Sequence, residues 1–304
     1  MTTLEPAPAL PRWIERELPF RRRVARVGDH RIHFVDEGEG TPVLLLHGNP
    51  TWSFLWRKVI VRLQPHRGLR LIAPDLLGLG LSSKLPRPAD HQLALHVDAI
   101  ARFTEVLGLD RAIVVAQDWG GPIATGAAMV RAERTPGFLR GLVLGNTSVL
   151  EPRRPLHTTA FHRFSHRPIA SELAFRGLLF PVPVLDRTQG DRSSIGWREK
   201  AAYAWPLRHL RDRAAPLGLA RMVPDREDHP SVPLLDRLGA FVRGYEGPAQ
   251  LVWGERDPIL GRALARHREA LPRARVVTTD AGHFLQEEVP DELARAVLEV
   301  SERA

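Results

Sequence analysis

The run Ala112-Ile113-Val114-Val115-Ala116-Gln117-Asp118-Trp119-Gly120-Gly121 decides the fold. A short apolar stretch rich in β-branched residues reads as a buried strand. It ends on an aspartate with small residues two positions to either side, Ala116 and Gly120. A helix is expected from about Gly121. A strand-to-helix turn so tight that its flanks admit only small residues is a nucleophile elbow. Such a turn lifts one side chain clear of the sheet and aims it at the start of the next helix. That side chain is usually a serine; here it is Asp118. An aspartate at a strand–helix junction is also a good N-cap, so Asp118 alone does not settle its role. Its partners must.

Further apolar runs at 43–46, 71–73, 142–144, 251–253 and 276–278 read as buried strands, and helical spacing fills most of the gaps. In 93–107, Leu93, Val97, Ile100, Phe103, Thr104 and Leu107 fall on one face. Strands alternating with helices imply a mostly parallel sheet flanked by helices. Upstream, 24–27 and 32–35 flank Gly28-Asp29, a hairpin pattern, so the sheet is expected to begin antiparallel. The alternation stops between about 151 and 230, a stretch rich in Pro, Arg, His and aromatics with no convincing strand. It reads as a helical cap inserted after the sixth strand. A helix at 234–244 then returns the chain to the sheet. The expected organisation is an α/β core of 21–150 and 231–304, a cap of 151–230, and an N-terminal arm of 1–20 that is Pro/Ala-rich over 1–11. No internal repeat is present.

Three sites on other strand ends join Asp118. His47-Gly48-Asn49-Pro50 follows the strand at 43–46, where this fold places its oxyanion loop. Asp257 lies in the loop after the penultimate strand, and His283 in the loop after the last. The order nucleophile, acid, histidine is that of α/β-hydrolases. All lie at carboxyl ends of strands, where open α/β sheets bind ligands.

The 304 residues are 43% hydrophobic, enough for one α/β domain with an insertion. Cysteine is absent, which excludes disulfides and thiolate chemistry. The formal charge is +8, but lysine occurs only at 58, 84 and 200, and the arginines are scattered along the chain. No basic tract interleaved with aromatics appears, so no nucleic-acid partner is expected. No apolar run is long enough to span a membrane. The first residues lack the order of a signal peptide, which points to a cytoplasmic protein. The histidines show no ligand spacing, so no metal or organic cofactor is expected.

At the level of motifs the chain resembles the haloalkane dehalogenases: HGNPTW at 47–52, FLWR at 54–57, PDLLGLGLSSK at 74–84, QDWGG at 117–121, GERDPIL at 254–260 and GHF at 282–284. The similarity covers most of the chain beyond the first twenty residues and is weakest in the cap. It implies an Asp nucleophile, Asp118, with Trp119 beside it as one halide donor and Asn49 as the other. The family's branches place the catalytic acid after different strands. Where one branch has Glu after the sixth strand, this chain has Asn146, which assigns the acid to Asp257 and resembles subfamily III. Glu151 is a weaker rival.

The residue types suit that chemistry. A carboxylate is ionised at neutral pH and attacks an sp3 carbon without a base. The indole N–H and the Asn amide offer donors without adding a formal charge. His283 with Asp257 would activate water against the resulting ester, and the backbone N–H groups of Asn49 and Trp119 would form the oxyanion hole. The implied partners are a small apolar halogenated substrate and a halide ion. Within the cap, Phe161, Phe164, Phe175, Leu178, Leu179, Phe180, Val182, Trp197, Tyr203 and Trp205 are candidate pocket lining, although packing inside the cap explains any one of them better than ligand contact does. Epoxide hydrolases also use an Asp nucleophile, but typically with two cap tyrosines, and Tyr203 is the only tyrosine in 151–230. A serine esterase lacks its elbow serine. A non-catalytic ligand-binding protein on this scaffold would lack part of the triad.

Overall fold

A computed structural model describes residues 4–156 and 159–304. One nine-stranded sheet runs through the molecule in the order β1-β2-β3-β5-β4-β6-β7-β8-β9. The strands are β1 (Glu5–Pro6), β2 (Arg22–Val27), β3 (His30–Gly38), β4 (Gly40–Leu46), β5 (Gly68–Pro74), β6 (Ala112–Asp118), β7 (Leu139–Thr147), β8 (Ala249–Gly254) and β9 (Arg275–Thr279). β1, β2, β3 and β5 pair antiparallel in that order, and every later pairing is parallel. The hairpin forms as expected: Val27 pairs with His30, and Gly28 takes φ +58° at the first turn position.

The central parallel strands are buried on both faces, whereas β9 at the edge is not, and the alternation of side chains divides the central strands between two apolar layers. Leu44, Leu46, Val114, Ala116, Leu142 and Leu144 face one layer. Val43, Leu45, Ile113, Val115 and Val143 face the other. Helices α1 (Arg12–Glu17) and α2 (Arg57–Leu63) join the second layer, whereas α3 (Leu93–Val106) and α4 (Gly120–Arg134) join the first.

Between β7 and β8 the described residues form helices and turns and no strand. The helices are α5 (Ala160–Ser165), α6 (Pro168–Glu172), α7 (Trp197–Ala204), α8 (Ala214–Arg221) and α9 (Val232–Arg243). This insertion follows β7 and not a sixth strand, because the two-residue β1 adds one to the count. Its buried side chains are shared with the sheet. Leu207, Ala215, Leu219 and Met222 belong to one main layer, and Val182, Leu185, Ile195 and Tyr203 to the other. Only Phe175, Leu217 and Ala220 form a small cluster of their own. The stretch 1–20 is more than an arm: Leu10, Ile14, Leu18 and Phe20 are buried in the second layer. After β8 come α10 (Leu264–Ala270), then α11 (Leu285–Glu288) and α12 (Pro290–Arg303) following β9.

Strand order positions the site. β4 and β5 run outward on one side of the sheet, and the chain then returns to lay β6 against the opposite side of β4. At such a reversal the loops leaving the two central strands diverge and open a crevice. The loop after β4, carrying Asn49, and the end of β6, carrying Asp118, flank it.

Candidate active site

Asp118 sits at φ +50°, a left-handed conformation that strains any residue with a side chain. Its neighbours hold it there. The Thr147 hydroxyl donates to the Asp118 carbonyl at 2.6 Å. A methyl at Gly120 would strike the Leu46 carbonyl, one at Gly121 the Thr147 side chain, and one at Gly48 the Asp118 carboxylate. These glycines are the room the elbow needs.

The Asp118 carboxylate is mostly covered. One oxygen accepts the backbone N–H of Asn49 at 2.7 Å. The other lies 3.5 Å from His283 Nε2. His283 Nδ1 is 2.9 Å from Asp257 Oδ2, and both side chains are buried. Asp257 also accepts from Asn146 Nδ2 at 2.7 Å and from the Ile259 N–H at 2.7 Å. Burial works against the charge of Asp257, but His283 and these donors outweigh it and hold the acid below its usual value. Burial likewise opposes an imidazolium at His283, yet Asp257 on one side and Asp118 on the other raise its pKa to about 10.

The structure thus brings Asp118, His283, Asp257 and the Asn49 backbone together. Glu151 stands apart, paired with Arg243 and with Arg266. Further residues support these groups in ways the sequence did not disclose. Asn146, at φ +34°, binds the β8 end through both amide atoms, donating to Gly254 O and accepting from Gly254 N, and so ties Asp257 to β7. Gln117 donates to His283 O at 3.0 Å, which pins its amide nitrogen 3.2 Å from His283 Nε2. From the insertion, Thr188 O accepts the His283 N–H, and the Gln189 side chain brackets Phe284 through both its N–H and its C=O. Asn146 and Gln117 had a signal, since each adjoins or replaces a motif position; Gln189 had none.

A cavity of about 470 Å³ opens over Asp118 and Trp119, both of which wall it. Much of the rest of the wall comes from the segment after β7 (Ser148, Leu150, Arg153, Leu156, His162), from Val223 and Leu235, and from the stretch beyond Asp257 (Ile259, Leu260, Arg262, Arg266). Burial lowers His162 to about 4, so it is neutral there at pH 7. The Asn49 side chain is not part of this wall. One of its amide hydrogens goes to the Pro216 carbonyl at 2.9 Å.

The expected cap lining is not this wall. Phe161, Phe164, Phe175 and Phe180 pack on one another, with Phe175 and Phe180 edge to face at 5.2 Å. Leu178 and Trp197 are exposed, at 71% and 75%. Tyr203 is buried, and its hydroxyl donates to Glu287, which also binds Arg57. Trp205 lies under the Arg208 guanidinium. Leu179 and Val182 pack into the main layers. A large aromatic side chain is as well satisfied by its neighbours as by a cavity, which is why composition misplaces the lining.

The fold, and the elbow with an acid–histidine pair behind it, define an α/β hydrolase, and the profile of the alpha/beta hydrolase fold matches residues 41–290. Haloalkane dehalogenase 2 of Mycobacterium tuberculosis is 36% identical over 291 residues, covering 92% of this chain and 95% of that protein. A haloalkane dehalogenase of Mycobacterium marinum is 34% identical over 282 residues, covering 88% of each. The crystal structure of a haloalkane dehalogenase from Bradyrhizobium elkani superposes with a TM-score of 0.82 at 25% identity, covering 94% of this chain and all of that one. The chain belongs to the haloalkane dehalogenase family of α/β hydrolases. Among the described residues no single helix is long and apolar enough to cross a membrane.

Proposed function

We propose that the protein hydrolyses haloalkanes to alcohol and halide through an alkyl ester on Asp118. The observation that carries this reading is one carboxylate shared between two neighbours: Asn49 N–H on one oxygen, His283 on the other, with a cavity in front. In the first step an Asp118 oxygen bonds to the carbon as the carbon–halogen bond breaks, and the electron pair leaves with the halide. Charge moves from the carboxylate to the ion, and the Trp119 indole N–H in the cavity wall is a donor for it. In this reading the second amide hydrogen of Asn49 is the other donor.

In the second step water attacks the ester carbonyl. Its oxygen stays bonded to the Asp118 carbon, the alcohol departs, and His283 takes the water's proton. In the resting state both carboxylates favour the imidazolium. Ester formation removes the Asp118 charge and so lowers the His283 pKa, which makes the histidine a base only once there is an ester to hydrolyse. Asp257, held by Asn146, keeps Nδ1 protonated and leaves Nε2 for the water. The segment 151–230 acts as the cap that walls the cavity. Halide comes as product and no cofactor takes part.

His283→Phe tests the scheme. It is expected to release about one halide per site and stall, with peptide mapping finding the alkyl group on the peptide containing Asp118. An adduct elsewhere, or continuous turnover, would refute the ester route. The epoxide alternative gains nothing from Tyr203, whose hydroxyl is buried on Glu287 and whose pKa is raised by burial and by that carboxylate.

A further inference from the structure

Resting on the dehalogenase reading, the substrate class can be narrowed from the charge of the cavity wall. Besides Asp118, the ionised groups of that wall are Arg153, Arg262 and Arg266. Arg266 is held by Glu151, through its side chain at 2.7 Å and its carbonyl at 3.0 Å. Arg153 and Arg262 make no ion pair or hydrogen bond with any described residue, and both are exposed, which puts them at the solvent end of the cavity. Several arginines elsewhere are matched with carboxylates, as in Arg57 with Glu287, Arg70 with Asp36 and Arg131 with Glu105. The same wall carries apolar side chains, among them Leu150, Leu156, Leu235 and Leu260. His162 contributes no charge.

We propose that this site takes a haloalkyl chain ending in a carboxylate, with the halogenated carbon at Asp118 and the carboxylate between Arg153 and Arg262. A planar guanidinium suits a carboxylate better than it suits a free halide, because it can donate two parallel hydrogen bonds. The carboxylate takes no part in bond making. The products are the hydroxycarboxylate, halide and a proton, as balanced above.

The test compares terminally brominated hexanoate with bromohexanol, which has the same chain and an uncharged end. An exposed ion pair is worth up to roughly fivefold, so with two arginines kcat/KM for the carboxylate should exceed that for the alcohol by about tenfold at low salt. The ratio should fall toward one near 1 M salt, where the screening length is about 3 Å, and again in the Arg153→Gln/Arg262→Gln double variant. Binding of unreactive hydroxyhexanoate against hexanediol, by calorimetry, reads the same preference without the reaction. Equal values for the two wild-type substrates, or a preference that survives the double variant, would overturn the inference. A preference that vanishes only in Arg266→Gln would move the anion site and overturn it as well. Halide release from bromohexane reports separately on the dehalogenase reading, so the two failures are distinguishable.

Discussion

The loops at the carboxyl edge of the sheet and the helical stretch that covers them are built under different constraints. In the loops, backbone decides. Asp118 stands at a left-handed turn that only small neighbours permit, and Asp257 and His283 are fixed by donors and acceptors of adjacent strands. A change at one such position breaks a specific contact. In the covering stretch, bulk and apolarity decide, and many arrangements of Phe, Leu and Trp satisfy them. Substitutions should therefore cost activity at the loops and stability in the cover.

The largest effect expected is at Asp257. Asp257→Ala should slow ester hydrolysis by ~10³-fold or more, as losing the group that orients a catalytic histidine does elsewhere. Halide release in the first turnover should persist. Glu151→Gln should change turnover little, since Glu151 is engaged with Arg243 and Arg266. Rapid-quench kinetics on both variants decides; a reversed result would move the acid to Glu151.

Next come the proposed halide donors. Trp119→Phe keeps the ring and deletes the N–H, and should slow the halide burst by ~10²–10³-fold. Asn49→Ala should cost less, because one of its amide hydrogens already serves Pro216 and its side chain is not in the wall. Asn49→Asp should be worse than Asn49→Ala, since it sets a negative charge against Asp118 and the Pro216 carbonyl. Wild-type rates in both Trp119→Phe and Asn49→Ala would mean that the halide is held elsewhere.

These differences track what the sequence could disclose. The elbow, its glycines and the chain order of Asp118, Asp257 and His283 were legible because few residue types fit those turns. The central parallel strands were legible because burial on both faces leaves uninterrupted apolar runs. β1 was not, because two residues with a proline carry no periodicity. Asn146 stood visibly where another branch has Glu, yet its hydrogen bond to Asp257 depends on the spacing of β7 and β8, which sequence does not contain. The cavity wall includes Ile259 and Leu260, which belong to the GERDPIL motif, and Leu150 and Leu156, which belong to none. Large apolar side chains such as Phe161, Leu178 and Trp205 signal a need for burial or contact, but do not say whether a cavity or a neighbour meets it.

A titration sharpens the loop side of the comparison. His283 is raised from its ordinary value to about 10 in the folded protein. A group so raised contributes stability that is fully present below pH ~6.5 and is lost as pH climbs toward 10. Urea unfolding of the wild type should therefore weaken between pH 7 and pH 10, and the part due to this group should be missing in His283→Phe. Identical pH slopes in the two proteins would show that the carboxylates do not hold the imidazolium.

The smallest effect, and the one that isolates the cover, is expected at Tyr203. Its hydroxyl donates to Glu287, which keeps Arg57 and Lys58 when the hydroxyl is removed. Tyr203→Phe should then lower stability by about 1 kcal/mol, the net worth of a typical buried hydrogen bond, or somewhat more because the acceptor is charged. The ring remains against Phe54, edge to face at 5.7 Å, so packing is kept. Nothing in the contact reaches Asp118 or the cavity, and kcat/KM for a bromoalkane should not move. Denaturant melts and halide assays on one preparation separate the two quantities. A fall in turnover without a fall in stability would place the phenol in the reaction. Tyr203 would then be the proton donor that an epoxide substrate requires, and the difference between loops and cover would not hold at this residue.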